Sequence, residues 1–281
     1  MTYEDIVKDI DNMPPLSEVA TKIQGLYAHG VENVDVSKLI RLVESDAMMS
    51  ANILKTINAP YYGFQRSIVS ISQAVSLLGT QKIYSLVLYF AILQNLNADT
   101  SVYGFNNAQF NEMCVLQSSL MMQWYAKIDL RDTHLLTSLA LIMESGKIII
   151  AKELSASDYE EEYRKGFLAC DDIVKFEQEF LMTTSYALSA LLFEHWHLTP
   201  LYSIILKNLD KSKEDYDEDV DSVIEQYIKA VDVVRTTINL KEVLTDESIK
   251  KAAKKVEEMG LDAEHFEKVA QRIKAKYEEA S

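Results

Sequence analysis

Glycine and proline are both scarce in this sequence, with eight glycines and four prolines among 281 residues. Sandwich and barrel folds use these residues at many of their turns, so their scarcity argues against such folds. Hydrophobic residues make up 48% of the chain, a share typical of a protein that buries a sizeable core. No stretch alternates between apolar and polar residues as a strand does, and apolar residues recur instead at helical spacing. The sequence therefore predicts an all-α fold.

Positive charge is also in short supply, since 28 Lys and Arg residues stand against 43 Asp and Glu residues, giving a formal net charge of −15. Nucleic acids and anionic membrane surfaces are bound by basic patches, and none is visible in the sequence. We therefore predict no nucleic-acid partner and no membrane partner. The acidity itself is explained by solubility.

Signals for export or membrane insertion are missing as well. The N-terminal MTYEDIVKDI has neither the basic nor the apolar region of a signal peptide. The most apolar segment, residues 83–93, is far shorter than the ~20 residues that span a bilayer. Cys114 and Cys170 lie far apart in sequence, and we expect both to be reduced and buried. These features predict a cytoplasmic protein.

Capping residues and helix breakers divide the chain into helices with short connections. Polar residues that precede helical apolar patterns predict N-caps at Ser17, Asp46, Ser70, Thr245 and Asp262. Gln73 follows Ser70 by three residues, as in a capping box, and Gly79 is expected to end that helix. We divide the chain into an N-terminal helical part (1–96), a polar connection (97–109), a second helical part (110–210) and closing helices (211–281).

Three ordered segments of the N-terminal part resemble one known family. They read MPPLSEVATKI (13–23), LIRLVESDAMMSANILKTINAPYYG (39–63) and SISQAVSLLG (70–79), and together they are similar to the HDOD domain family. The residues that carry the resemblance are Pro14, Pro15, Asp46, Asn58, Tyr61, Tyr62, Gly63, Ser70, Ala74, Gly79 and Trp196. Two departures are that Ala47 follows Asp46, where the family often has proline, and that Ala59-Pro60 replaces the usual Ser-Ala.

The resemblance implies a fold and a role. HDOD domains are all-helical relatives of the HD phosphohydrolases, in which an N-terminal helical subunit packs on a degenerate HD-like unit. They lack the catalytic metal ligands and serve as regulatory or scaffolding units in bacterial signalling proteins. We therefore expect an HD-like helical bundle without enzymatic activity.

The resemblance also indicates where the metal ligands of an HD enzyme would lie. The corresponding positions form a vestigial pocket, with Gly146 and Lys147 retained from the motif, and the pocket residues are Gln117, Met143, Glu144, Lys147, Ser185 and Asp210. One carboxylate with a Gln, a Met and a Ser is a poor divalent site, so we predict no metal, no cofactor and no catalytic residue. Gly146 is expected at a tight helix junction and Lys147 as a solvated amine, and the alternative is that these two residues bind phosphate.

The histidines and methionines suggest no further site. His195 and His197, two residues apart, are expected on different sides of a helix, which makes a poor chelate. The remaining histidines do not cluster in sequence, and they are His29, His134 and His265. Several methionines are interpreted as core filling: Met48, Met49, Met113, Met121 and Met122.

Three functional hypotheses follow. The first is a non-enzymatic signalling module that binds protein partners in two-component, chemotaxis or motility, or cyclic-dinucleotide pathways. In it, Tyr61 and Tyr62 either pack on the second helical part or project outward. The second is a metal-dependent phosphohydrolase with an altered site, and the third is a sensor that holds a small ligand such as a nucleotide in the vestigial pocket. The sequence does not indicate the oligomeric state.

Overall fold

The computed structural model describes residues 3–28 and 30–280, and the fold there is helical throughout. The only β pairing in these residues is an isolated antiparallel bridge between Ile238 and Val243, so the all-α prediction is confirmed. The helices are α1 (Tyr3–Asp11), α2 (Glu18–Leu26), α3 (Val36–Glu44), α4 (Ala47–Ile57), α5 (Ile71–Leu96), α6 (Asn107–Tyr125), α7 (Leu130–Ile142), α8 (Ser145–Ser155), α9 (Glu160–Ala169), α10 (Ile173–Leu181), α11 (Ser185–His195), α12 (Pro200–Asn208), α13 (Ser222–Thr237), α14 (Asp246–Glu258) and α15 (Ala263–Ala280). Single 3₁₀ turns lie at Val31–Asn33, Pro60–Tyr62, Thr100–Tyr103 and Lys213–Asp215.

The predicted caps start their helices as expected. The side chain of Asp46 accepts a hydrogen bond from the Met49 amide at 2.9 Å, and similar bonds form at Ser17, Thr245 and Asp262. Ser70 likewise accepts from the Gln73 amide. The Gln73 side chain, however, accepts from the amide of Val69 and not from that of Ser70, so the box is displaced by one residue.

Gly79 interrupts α5 and does not end it. Its backbone has φ +80° and ψ 164°, a conformation that glycine alone adopts readily, and the helix resumes immediately afterwards. The apolar segment 83–93 thus belongs to a longer helix than its own length suggests. The stretches 71–96 and 130–155 are long and apolar enough to cross a membrane, but 61% and 89% of their most apolar windows are buried within the fold. Core packing accounts for their apolarity.

The signature turn after α4 joins the N-terminal part to α6. The Asn58 side chain donates to the carbonyl of Ile68 and accepts from its amide, both at 2.8 Å, and so closes the turn. The Tyr61 carbonyl then accepts a hydrogen bond from Ser119 of α6 at 3.2 Å. Tyr61 and Tyr62 are both buried, so they pack against the second helical part and do not project outward.

A buried lysine also lies between these two parts. Lys82 of α5 is 3% exposed, and its ammonium donates to Ser118 of α6 at 2.5 Å and lies 5.6 Å from the centre of the Tyr62 ring. No ion pair to Lys82 is found among the described residues. Burial lowers the pKa of Lys82 to about 7.

The Pro-Pro segment is held against the end of α11. The indole of Trp196 donates to the Pro14 carbonyl at 3.0 Å, and the Nε2 atom of His195 donates to the Met13 carbonyl at 3.0 Å. Gln24 of α2 donates to the carbonyl of Trp196 at 3.1 Å. The family-signature residues Pro14 and Trp196 therefore have a structural role, since they connect the N-terminal segment to the end of α11.

Several expectations about exposure need correction. Met48 is 63% exposed, so it is not core filling, whereas Met49, Met113 and Met121 are buried. Cys114 is buried but Cys170 is only partly so. His29 lies outside the described residues.

Candidate functional site

The site is built at the junction between α7 and α8. Glu144 occupies the N-cap position of α8 and Lys147 lies in its first turn, so the two side chains share one face of the helix. Their exposed fractions are 1% and 2%. The Lys147 ammonium lies 2.7 Å from Oε2 of Glu144, and the two form a buried ion pair.

The other carboxylate oxygen is held by two neighbouring helices. Gln117 of α6 donates from Nε2 to Oε1 of Glu144 at 2.8 Å and also to the carbonyl of Ile238 at 2.9 Å. The Tyr186 hydroxyl of α11 donates to the same Oε1 at 3.3 Å. Both oxygens of Glu144 therefore face donors from the protein itself.

Lys147 is buried, and the expectation of a solvated amine was wrong. Its ammonium donates to the hydroxyl of Ser185 at 2.9 Å and lies 4.5 Å from the centre of the Tyr186 ring. Burial, the largest single effect, would by itself lower the pKa of Lys147, but the nearby acidic groups of Glu144, Tyr186 and Glu177 together outweigh it and hold that pKa well above its usual value. Lys147 is therefore charged at neutral pH, inside the protein.

Gly146 explains why Lys147 faces inward. A Cβ atom at this position would lie 1.8 Å from the carbonyl oxygen of Ser185, so only glycine lets α8 approach α11 this closely. The Gly146 amide donates to Ser189 at 2.7 Å, and the Ser189 hydroxyl donates to the Met143 carbonyl at 2.7 Å. The expected tight junction is present, and it carries Lys147 towards α11.

A second carboxylate lies behind this group. Glu177 of α10 is fully buried, and its Oε2 atom accepts from the Ser185 amide at 2.6 Å. Burial raises the pKa of Glu177, while the charge of Lys147 opposes that rise. Sequence reasoning missed Glu177, because nothing in its local pattern distinguishes it from the exposed glutamates nearby.

Asp210 joins the site through an arginine. Arg235 of α13 forms an ion pair with Asp210 and a second one with Asp232 at 2.8 Å. The guanidinium lies 5.1 Å from the centre of the Tyr186 ring, on which Lys147 also lies. Sequence reasoning missed both Tyr186 and Arg235. Tyr186 could have been found as the neighbour of Ser185, but the approach of Arg235 depends on the packing of α13.

The predicted pocket residues thus divide into three kinds. Gln117, Glu144, Lys147 and Ser185 are in direct contact, and Asp210 is connected to them through Arg235 and Tyr186. Met143 is fully buried, and its carbonyl accepts the hydrogen bond from Ser189.

The histidines lie apart from this site. His195 is the last residue of α11, and His197 lies beyond the end of this helix with φ +52°. The expectation that both histidines lie on one helix was therefore wrong. His134 lies exposed on α7 and His265 lies on α15. Within residues 3–28 and 30–280, no group of three or more His, Cys, Asp or Glu side chains is arranged to hold a metal ion.

These residues do not fit a metal of the HD type. The one carboxylate at the expected position, Glu144, has an ammonium on one oxygen and two neutral donors on the other. A divalent cation at this carboxylate would be repelled by Lys147, whose charge it would have to displace. The arrangement can hold an internal charge pair, and no step of a reaction follows from it.

A cleft of about 790 Å³ opens beside this group. Lys147 and Tyr186 form part of its lining, together with residues of α13, of α14, of the turn at 238–243 and of the segment 168–174. Its charged lining residues are Lys147, Asp171, Asp172, Asp232, Arg235, Lys241, Glu242, Lys251 and Lys255. The cleft is therefore polar, and most of its charges have a partner nearby.

In a comparison with known families, the profile described as HDOD domain matches residues 13–208. This range covers more than half of the chain and includes the signature turn and the predicted pocket up to Ser185. A search of curated protein sequences gives no significant match.

Several solved structures share the fold. A protein from Shewanella amazonensis, provisionally named a phosphohydrolase, has a TM-score of 0.70 and 17% identity over 96% of this chain and 94% of its own. A protein from Marinobacter aquaeolei, provisionally named a signal transduction protein, has a TM-score of 0.69 and 17% identity over 100% of this chain and 61% of its own. An HDOD domain protein of unknown function from Geobacter sulfurreducens has a TM-score of 0.63 and 14% identity, over 99% and 94%.

Proposed function

This chain belongs to the HDOD domain family, and from that premise we propose that it is a regulatory module of bacterial signal transduction. In this proposal it acts in the cytoplasm by binding partner proteins and performs no catalysis. Its partners belong to two-component, chemotaxis or motility, or cyclic-dinucleotide pathways.

The observation that carries the proposal is the buried Glu144–Lys147 pair. A phosphohydrolase of the HD type needs imidazoles and carboxylates that converge on a metal, which then activates water. Here the corresponding positions hold Gln117 and a carboxylate already neutralised by an ammonium at 2.7 Å. Each oxygen of Glu144 already faces a donor of the protein, so this carboxylate offers no open coordination position.

Metal content tests the non-catalytic part of the proposal. The protein would be produced in medium supplemented with iron, manganese and zinc and purified without a chelator or a metal-affinity tag. Plasma mass spectrometry should find well under about 0.1 metal ion per chain, because Lys147 competes for Glu144. Close to one ion per chain would contradict the proposal and favour the phosphohydrolase, which would then be assayed with Glu144→Ala as the control.

Partner binding needs a separate experiment. Mild crosslinking in lysate of the native organism, followed by affinity purification and quantitative mass spectrometry, should enrich a defined signalling protein. An unrelated acidic helical protein with the same tag controls for non-specific capture. Enrichment of no protein over this control would count against the partner-binding role.

A second candidate function is a sensor that binds a small ligand without reacting with it. The cleft beside Lys147 favours this function, since its volume of about 790 Å³ lies in the usual range for ligand sites. Sensing and partner binding are compatible, because a ligand in this cleft would contact α13 and α14 as well as the α8–α11 junction.

A further inference from the structure

A second cavity lies between α2 and α5, apart from the cleft beside Lys147. Its volume is about 620 Å³, within the usual range for sites that bind small molecules. It is also bordered by α7 and by the segment 197–202, so the N-terminal part and the second helical part meet around it. None of its described lining residues belongs to the cleft. The residues that line this α2–α5 cavity are Thr21, Gln24, Gly25, Tyr27, Ala28, Gly30, Val31, Gln81, Tyr84, Leu88, Leu135, His197, Leu198, Thr199 and Tyr202.

The lining of the α2–α5 cavity carries no formal charge. Among the described residues that line it there is no Asp, Glu, Lys or Arg, although these four types make up 25% of the whole chain. Two lysines follow lining residues in sequence, but both have partners elsewhere. Lys22 pairs with Glu18 at 2.5 Å, and Lys82 donates to Ser118 of α6. A charged ligand would lose its hydration with no opposite charge in the lining to compensate, so the cavity favours an uncharged one.

Two stacked tyrosines give the cavity a flat aromatic surface. The ring centroids of Tyr27 and Tyr84 lie 4.3 Å apart, and the angle between the ring planes is 16°. The Tyr27 hydroxyl donates to the carbonyl of Thr80 at 2.7 Å, which holds this ring against α5. Each ring covers one face of the other and leaves its second face to other groups, and both side chains line the cavity. A flat aromatic ligand can extend this stack.

A side-chain amide beside the stack lacks a hydrogen-bond partner. The Oε1 atom of Gln81 is buried, and no donor among the described residues reaches it. Gln81 precedes Tyr84 by three residues on α5, so the two share one face of this helix. The other glutamine of the lining is engaged, because Gln24 donates to the carbonyls of Trp196 and His197. The terminal torsion of glutamine is soft, so the Gln81 amide can turn its oxygen to a ligand that donates a hydrogen bond.

An aromatic cage for a cation would have a different geometry. In such a cage the cation lies over the faces of several rings that surround it. Tyr27 and Tyr84 instead lie face to face, so they offer a surface and do not surround a centre. The carboxylate of Glu32 lies beside Gly30 at the rim, but Glu32 is exposed to solvent and is not part of the lining. The cavity therefore favours a neutral flat compound over a cation.

We propose that the α2–α5 cavity binds an uncharged, flat heteroaromatic compound that carries an N–H donor. The ring of this compound lies against the Tyr27–Tyr84 pair, and its N–H group donates to Gln81. The bound compound joins the N-terminal part to the second helical part, because Leu135 and Tyr202 line the other side of the cavity. This inference concerns a site other than the cleft beside Lys147, and it depends neither on partner binding nor on the absence of catalysis.

Ligand-observed NMR titrations of the full-length protein with a matched series of probes test the proposal. Indole is the flat, uncharged probe with an N–H donor, and 1-methylindole has the same ring without that donor. Indole-3-acetate adds a negative charge to the ring and tryptamine adds a positive one. Cyclohexanol is an uncharged donor without a flat ring. We expect indole to bind with a dissociation constant below about 1 mM and 1-methylindole to bind about fivefold more weakly. Both charged probes should bind at least about tenfold more weakly than indole, and cyclohexanol should not bind.

Substitution of Gln81 separates its contact with the ligand from a structural role. Gln81→Leu should weaken the binding of indole about fivefold and leave that of 1-methylindole unchanged, because only indole donates to the amide. The same variant should have a higher melting temperature without ligand, since it removes a buried acceptor that has no partner. Gln178→Leu is the matched control, because Gln178 is exposed on α10 and does not line the cavity. It should leave the affinity for indole unchanged.

Substitution of Tyr84 tests the aromatic surface. Tyr84→Leu should weaken the binding of indole and of 1-methylindole alike, whereas Tyr84→Phe keeps the ring and should keep the affinity for both. Circular dichroism verifies that each variant is folded. If Tyr84→Leu does not fold, the comparison of Gln81→Leu with Gln178→Leu still decides the proposal.

Three results would overturn the inference: no binding of indole up to millimolar concentration, binding of tryptamine or indole-3-acetate as tight as that of indole, or equal effects of Gln81→Leu and Gln178→Leu. Tighter binding of tryptamine would identify a cation site instead, and tighter binding of indole-3-acetate an anion site. The metal analysis and the crosslinking experiment described above are independent of these titrations, so a failure of this inference is distinguishable from a failure of the proposed function.

Discussion

At the scale of single residues, the arrangement around Glu144 depends on both members of a buried ion pair. Glu144 and Lys147 are 1% and 2% exposed and lie 2.7 Å apart. Removal of one partner leaves the other charge buried without compensation, which typically costs about 3–5 kcal/mol, whereas removal of both can be almost neutral. Each member is therefore needed because the other one is present.

A double-mutant cycle measures this dependence. Glu144→Gln and Lys147→Met should each lower the free energy of unfolding by about 3 kcal/mol or more. The double variant should lose no more than either single variant, so the coupling should be about 3 kcal/mol. Urea denaturation followed by circular dichroism gives the free energies of unfolding of the natural protein, the two single variants and the double variant. Additive losses would show that the two side chains do not stabilise each other as the structure indicates.

The sequence predicted which residues form the site better than it predicted their burial and their contacts. Gln117, Glu144, Lys147 and Ser185 were placed by their spacing within the family pattern, and the structure brings them together. The burial of Lys147 was not predictable from its neighbours, because it results from the approach of α11, a helix about forty residues away. Tyr186, Glu177 and Arg235 depend on the same long-range packing.

At the scale of helices, capping side chains and glycines determine where each element begins and how closely elements approach. The caps were predictable because each is a local hydrogen bond, such as that from the Met49 amide to Asp46. The role of Gly79 was predicted only in part, since the sequence shows that a helix is disturbed there but not that it continues after the disturbance. Whether a glycine allows two helices to pack closely depends on the helix that lies against it, and its own sequence neighbours do not show this.

Two helical glycines give a matched test of close packing. Gly146→Ala should destabilise the protein by about 3 kcal/mol or more, because its Cβ would lie 1.8 Å from the Ser185 carbonyl oxygen. Gly25→Ala on α2 should stabilise it by up to about 1 kcal/mol, since nothing lies within 4 Å of the added Cβ and alanine favours a helix. Thermal denaturation measures the change in stability of both variants and shows whether the two changes have opposite signs. Equal effects would refute the close approach of α8 and α11.

At the scale of the whole molecule, the N-terminal part and the second helical part share one core, and Lys82 lies between them. Its ammonium contacts Ser118 of α6 and the face of Tyr62. Because burial lowers its pKa from 10.5 to about 7, the folded state releases this proton at a lower pH than the unfolded state. The resulting destabilisation is complete below pH 7 and disappears as the pH rises to about 10.5.

The difference in stability between Lys82→Met and the natural protein should follow this dependence. The free energy of unfolding of the variant should exceed that of the natural protein by the largest margin at pH 6–7. This margin should fall by roughly 4 kcal/mol between pH 7 and pH 10.5, since one pKa unit corresponds to about 1.4 kcal/mol. Urea denaturation at a series of pH values measures it. Lys165→Met, at an exposed lysine on α9, is the control and should show a flat difference. A flat difference for Lys82→Met would mean that Lys82 is solvated.

The all-helical fold followed from composition and periodicity, because both are properties of the whole chain. The contact between the two parts did not, since the sequence left open whether Tyr61 and Tyr62 turn inward or outward. That choice depends on hydrogen bonds from Ser119 and Gln123 to the Tyr61 carbonyl, which join residues about sixty positions apart.

The ion pair at the α7–α8 junction also constrains how this sequence can diverge. A lineage that loses Lys147 first leaves Glu144 buried and unpaired, and one that loses Glu144 first leaves an unpaired ammonium. Each path passes through a destabilised intermediate, so the two positions are expected to change together among close descendants.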